Sequence, residues 1–293
     1  MKFRFRVIFF SVVLLLQSVR AVAFDFNFEI ELIQQKFWRW FTMVSDGIEF
    51  LANKDYELFF EDEKPVTSMR SIMLFDRLWK RLEKECRNFY FPRRIIWVNG
   101  APGAGKGVNT RNIMRAMGIS AKPLIVSDLL QAPEFQSKID QGLLVDDEEV
   151  TFLVFKNIAE VNRKDSGLIV DGYPRTFLQA ECIHLLKKKI NAEMVAVVLL
   201  IDEKTSINRQ RIRGLEAIAH NQQVQSTGEG TLVEVRATDI DDEVARKRYA
   251  TFRDQTIKAL RYMKEFTQYH DINAKGSFDE VRDRINSALK RSQ

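Results

Sequence analysis

Residues 94–117 constrain this chain more than any other stretch. Arg94-Ile95-Ile96-Trp97-Val98 is a short run of strand-forming residues, and after Asn99 comes Gly100-Ala101-Pro102-Gly103-Ala104-Gly105-Lys106-Gly107, then Val108. Apolar residues return at Ile113, Met114 and Met117 with helical spacing. A strand, a glycine-rich turn and a helix in that order form a phosphate cradle. The glycines let backbone N–H groups turn inward, the helix N-terminus adds its partial positive charge, and Lys106 reaches the outer phosphates. Gly100 through Val108 are therefore read as the site for a nucleotide polyphosphate.

Short apolar strands alternate with helical patterns after residue 94, which predicts an α/β fold: a P-loop NTPase-type parallel sheet flanked by helices. Apolar residues make up 45% of the 293 and charged residues 29%, an ordinary globular balance. The net charge of +5 suits a phosphate ligand. Without aromatic residues interleaved in a basic patch, nucleic acid is not an expected partner. Cys86 and Cys182 are too few and too far apart for a zinc site or disulfide framework, and His184, His220 and His270 are scattered.

Further basic and acidic residues follow the loop at regular intervals. Asp171-Gly172-Tyr173-Pro174-Arg175-Thr176 succeeds the apolar Leu168-Ile169-Val170, with Gln179 three positions on. Arg209 and Arg213 follow the strand 195–201 and share one helix face. Residues 214–235 are polar, rich in Gly, Gln, Ser and Thr, and show no strong periodicity. Arg236 then precedes Asp239-Ile240-Asp241-Asp242 and a helix with Arg246 and Arg248.

Together these motifs resemble the adenylate kinase family of nucleoside monophosphate kinases over about residues 94–290, in a divergent subgroup similar to plastid adenylate kinases. The resemblance implies transfer of a phosphoryl group from ATP, with Mg2+, to a monophosphate, most simply AMP + ATP = 2 ADP. A kinase for UMP, CMP or another monophosphate, and a nucleotide-binding module without catalysis, stand as alternatives. It implies Lys106, Arg175, Arg209, Arg213 and Arg248 as catalytic cations, with Arg209 and Arg213 on ATP. It assigns Asp128, Gly172, Arg175, Gln179, Arg236 and Arg248 to the acceptor, and Asp171 to the metal through water. An acceptor-binding region at about 120–150, a mobile lid at about 214–236 without zinc, and a last strand at 272–274 before Gly276 complete the expectation. A monomer is expected.

Three positions depart from the family pattern. Val108 stands where the family has a threonine, Val126 where it has a threonine near the base, and Gln131 where it has an arginine for the acceptor phosphate.

The N-terminal third carries other signals. Lys2, Arg4 and Arg6, the apolar run 7–16 and Ala21-Val22-Ala23 read residues 1–23 as an export signal, an uncleaved membrane anchor or a packed apolar helix. Targeting to the secretory pathway, a membrane or an organelle stays open beside the need for ATP, which argues for a cytoplasm-like compartment. Residues 24–93 are a helical extension. A helix over 28–52 carries Phe37, Trp38, Trp40 and Phe41, for a core or a membrane surface, and residues 57–64 read as a linker. Ile72, Phe75, Leu78, Trp79, Leu82, Cys86 and Phe89 form an amphipathic stripe.

Overall fold

The computed structural model describes residues 67–86, 90–140, 144–160 and 167–290. The expected signal or anchor, the 28–52 helix and the 57–64 linker lie outside them. Chain contacts separate Met1–Met69 from Arg70–Gln293, and the architecture below is that of the second unit.

Five parallel strands form one sheet in the order β2-β3-β1-β4-β5. They are β1 (Arg94–Gly100), β2 (Leu124–Ile125), β3 (Leu168–Asp171), β4 (Glu193–Leu200) and β5 (Gln268–Asn273). In β1 all residues from Ile95 to Gly100 are buried, and β3 is buried throughout. Such unbroken apolar runs mark strands covered on both faces, as parallel sheets require. The register pairs Val98 with Asp171 on one side and with Val197 on the other. The carboxyl ends of β1, β3 and β4 therefore open side by side, where α/β sheets bind ligands.

Helix α1 (Met69–Glu85) buries Leu74, Phe75, Leu78 and Leu82 in the same core as the sheet, so the predicted stripe is a helix over its described part; Phe89 lies outside the described residues. Helix α2 (Lys106–Met117) begins after Gly105 and ends at Gly118, both with left-handed backbone (φ 83° and 63°), which costs glycine little. The acceptor-side segment holds α3 (Val126–Leu129) and α4 (Pro133–Asp140), then α5 (Asp147–Ala159), capped by Asp146 through Glu148 N–H at 3.0 Å. Helix α6 (Phe177–Lys189) is capped by Thr176.

Helical structure extends into the region expected as the lid from residue 214. Helix α7 runs Glu203–Thr227 without interruption and stops at left-handed Gly228. Its second half is mostly exposed, so no apolar stripe announces it, and Ala, Glu and Gln hold it by propensity. The non-helical part is about 228–236, and it returns along α7. Asn221 Nδ2 donates to Val233 O and Val233 N–H to Asn221 Oδ1, each at 2.8 Å, while His220 Nε2 donates to Thr231 O. Then come α8 (Ala237–Ile240), α9 (Asp242–Thr251), a π-helical turn (Phe252–Thr256), α10 (Ile257–Met263) and α11 (Phe278–Lys290).

Candidate active site

The glycine loop leaves β1 and enters α2, and its shape is held from behind. Asn99 accepts the Gly100 N–H at 2.7 Å and donates to Pro174 O at 2.5 Å, joining this loop to the segment after β3. Ser206 Oγ, on α7, donates to Pro102 O at 2.8 Å. Gly103 has φ 71°, and a Cβ there would lie 2.9 Å from Ser206 O, so only glycine fits this close approach. Lys106 Nζ rests on the loop's own carbonyls, Gly100 O at 2.9 Å and Ala101 O at 3.2 Å.

Above the loop lies a cavity of about 550 Å3. Its lining includes Gly100, Pro102, Gly103, Gly105 through Val108, Asp128, Asp171, Gly172, and the cations Lys106, Arg175, Arg213, Arg236 and Arg248. Five cations from five separated stretches meet there. Arg175 Nε donates to Gly172 O at 3.0 Å. Arg213 clasps the Asp239 carboxylate at 2.7 and 2.6 Å. Arg248 donates to Thr238 Oγ1 at 3.0 Å. Arg236 pairs loosely with Glu234 at 3.3 Å.

The electrostatics match an anion site. Burial pushes Lys106 down to about 8; Asp171 opposes this, while Arg248, Arg175 and Arg213 add to it. Burial lowers Arg248 to about 10, with Arg175, Arg213 and Arg236 repelling it further. Asp171, at the end of β3, is raised by burial against the pull of Lys106, and its Oδ2 accepts from Thr110 Oγ1 at 3.3 Å. Mutual repulsion among these cations is relieved when a polyanion binds between them, and such perturbed groups gather at functional sites.

Some expected residues stand apart from this group. Ala101 and Ala104 are buried behind the loop and contribute main chain. Arg209 packs on Gly103 and donates to Ala274 O and Gly276 O at 3.0 and 3.1 Å, on the loop's flank beside the end of β5 instead of in the cavity. Gln179, expected at the acceptor base, is only 2% exposed, and its amide is spent on the Arg175 N–H and on Asp147. Val108 is 60% exposed at the cavity edge, and the nearby hydroxyl is Thr110's, 2.9 Å from Lys106 O and 3.3 Å from Asp171 Oδ2. Gln131 lines the cavity and donates to Ser127 O at 2.9 Å.

Several lining residues had no sequence signal of their own. Asn99 and Thr238 are small buried polar groups. Phe252 and Thr256 reach the cavity from the π-helical turn, a local widening that no spacing rule anticipates and that recurs at functional sites.

A sequence model of the family described as adenylate kinase matches residues 98–268. The chain belongs to that family. An adenylate kinase of Deinococcus deserti is 30% identical over 200 residues, covering 66% of this chain and 94% of that protein. One of Synechococcus sp. is 30% identical over 206 residues, with 67% and 98% covered. One of Nitrobacter winogradskyi is 29% identical over 209 residues, with 68% and 94% covered. As an adenylate kinase family member the chain is a nucleoside monophosphate kinase, a transferase of phosphoryl groups. The matched stretch begins inside β1 and ends at the first residue of β5, so it takes in the loop and the cavity cations and leaves α1 outside.

Mg2+ accompanies ATP in this family's chemistry, and the cavity's donor set suits it. Among the described residues no three His, Cys, Asp or Glu side chains cluster as a metal cage. Mg2+ is commonly bound through one or two carboxylates plus phosphates and waters. Asp171 and Asp128 both line the cavity and meet that need.

Proposed function

We propose that this protein transfers the terminal phosphoryl group of ATP to AMP, giving two ADP. The observation that carries the reading is the convergence of Lys106, Arg175, Arg213, Arg236 and Arg248 on one cavity above the glycine loop. The names of the relatives support AMP as the acceptor.

In this reading the main-chain N–H groups of residues 100–107 and Lys106 hold the donor phosphates. Arg209, beside the end of β5, flanks the donor base. Arg175, on the other side of the cavity, holds the acceptor phosphate, whose oxygen attacks the terminal phosphorus in line while the bridging oxygen to the β-phosphate leaves. No side chain acts as nucleophile; positioning and charge neutralisation supply the rate. When bound with ATP, Mg2+ supplies positive charge on the donor phosphates, with Asp171 placed to hold its waters. Segment 228–236 closing over the cavity excludes water and so limits hydrolysis.

A second reading, a kinase for UMP, CMP or another monophosphate, is favoured by one observation. The Gln179 amide, the expected reader of adenine, already has partners at both ends. Product formation by the full chain from ATP, Mg2+ and AMP, UMP, CMP or GMP in turn separates the two. AMP should be preferred at least about tenfold, an apolar-pocket scale of discrimination. A pyrimidine preference sinks the AMP reading, and no product from any acceptor sinks catalysis. Arg175→Ala should raise the KM for the acceptor about 10- to 100-fold, the scale of a lost charge-assisted hydrogen bond, with the KM for ATP little changed.

A further inference from the structure

Asp147 opens helix α5 and lies outside the cavity lining, yet it is tied to the acceptor side by a short chain of hydrogen bonds. Its Oδ1 accepts from Thr176 Oγ1 at 2.7 Å and from Gln179 Nε2 at 2.8 Å. The opposite end of that amide, Gln179 Oε1, accepts the Arg175 N–H at 2.7 Å. Arg175 O in turn accepts from Thr256 Oγ1 at 2.9 Å. The main chain of Arg175 is thus held on both sides, and its Nε is held by Gly172 O. What remains free to face the cavity is the outer part of the guanidinium.

The polarity of this chain is set at Asp147. A carboxylate only accepts and a peptide N–H only donates, whereas an amide does one at each end. Asp147 therefore dictates that Gln179 presents oxygen to Arg175. Gln179 is nearly fully buried, so a lost partner leaves a donor unpaired away from water, which is costly. The helix that carries Asp147 is itself braced by α1. Arg77 and Arg81 pair with Glu148 and Glu149 at 2.8 and 3.0 Å, and the Arg81 guanidinium lies 3.6 Å from the Phe152 ring centre.

We propose that Asp147 is a positioning residue for the acceptor phosphate: through Gln179 and Thr176 it sets the main chain at Arg175, and so the direction from which that guanidinium enters the cavity. The inference rests on the reading of Arg175 as the acceptor's cation. A displacement of about 1 Å at a binding cation is enough to cost up to about 100-fold.

The test uses the full chain with Asp147→Ala, Asp147→Ser and Asp147→Asn. Serine suits a helix start but is too short to reach both partners, so it carries the test if the alanine variant does not fold. Asparagine keeps a carbonyl oxygen where Oδ1 stands. The KM for AMP should rise about 10- to 100-fold in the Ala and Ser variants, with the KM for ATP within about twofold. The Asn variant should recover to within about threefold of the parent. Hydrogen exchange at the Arg175 amide should quicken in Ala and Ser and stay slow in Asn. A folded, active Asp147→Ser protein with an unchanged KM for AMP overturns the proposal, and so does unchanged exchange at Arg175. A parent protein that phosphorylates no monophosphate defeats the functional reading instead, while the exchange measurement still decides the hydrogen-bond chain.

Discussion

Arg213 and Asp239 form a two-pronged ion pair, at 2.7 and 2.6 Å, between the long helix α7 and the short helix that follows the return segment. The two ends differ in setting: the Asp239 side chain is 3% exposed and that of Arg213 is 44% exposed. The carboxylate therefore anchors the pair, and the guanidinium keeps an open face toward the cavity. Thr238, the neighbour of Asp239, holds Arg248, so one short turn aims two of the cavity's arginines.

Gly214 is the contact that lets this turn approach α7. A Cβ at position 214 would lie 2.5 Å from Asp239 O and 2.9 Å from Asp239 C, main-chain atoms with no rotamer to yield. Gly214→Ala should destabilise the protein by about 1–3 kcal/mol, the usual cost of overpacking, measured by urea denaturation. Turnover should fall as well, because Arg213 and Arg248 both shift. An unperturbed stability and rate would show that this turn moves freely.

Lys106 should make nucleotide binding proton-linked. In the protein by itself its folded value, about 8, lies below the unfolded one, so between about pH 8 and 10.5 the unfolded chain binds more protons. The cost of its buried charge is present below pH 8 and fades as pH rises through that window. Phosphates raise the lysine's affinity for its proton, so ATP binding at pH 8 should take up on the order of half a proton. Calorimetry in two buffers of different ionisation enthalpy reads this directly, and Lys106→Met should abolish the uptake.

Gln131 lines the cavity, at a position where the resemblance to the family implies an arginine. Gln131→Arg adds a cation facing the acceptor side, and a charge-assisted contact is worth about 1.5–3 kcal/mol before screening. Since the side chain is exposed, solvent reduces that gain. The expected result is a KM for the acceptor lower by about threefold to tenfold, with the KM for ATP unchanged. Steady-state kinetics with AMP checks it, and an unchanged value would place the acceptor phosphate elsewhere.

Helix α1 is part of the folded core although it lies outside the stretch that matches the family. Phe75 stacks on Trp79 and meets Phe155 of α5 edge-on, with ring centres 5.7 and 6.1 Å apart. Phe75→Ala should cost about 3–5 kcal/mol, read as a lower urea midpoint. A chain begun at residue 94 loses four buried apolar side chains of α1, each worth about 1.5–3 kcal/mol, against a domain stability of about 5–15 kcal/mol. It should be recovered insoluble or molten.

The strand–loop–helix of residues 94–117, the parallel sheet and the presence of a cation set were legible in the order of residues. Glycines before a lysine and unbroken apolar runs are local signals, set by backbone freedom and by burial on both faces. Helix α1 was legible too, from a single apolar stripe. What the chain order could not disclose depends on partners far apart along it. The helical half of the expected lid has no apolar face to betray it. The turning away of Gln179 and the flanking position of Arg209 both follow from which distant group each side chain meets. Asp147 carried no signal, because a carboxylate at a helix start reads as a cap until the fold brings Thr176 and Gln179 against it. Local sequence determined where phosphate is held, and only tertiary packing decided which arginines face it, since a guanidinium's direction is set by the carbonyls and carboxylates around it.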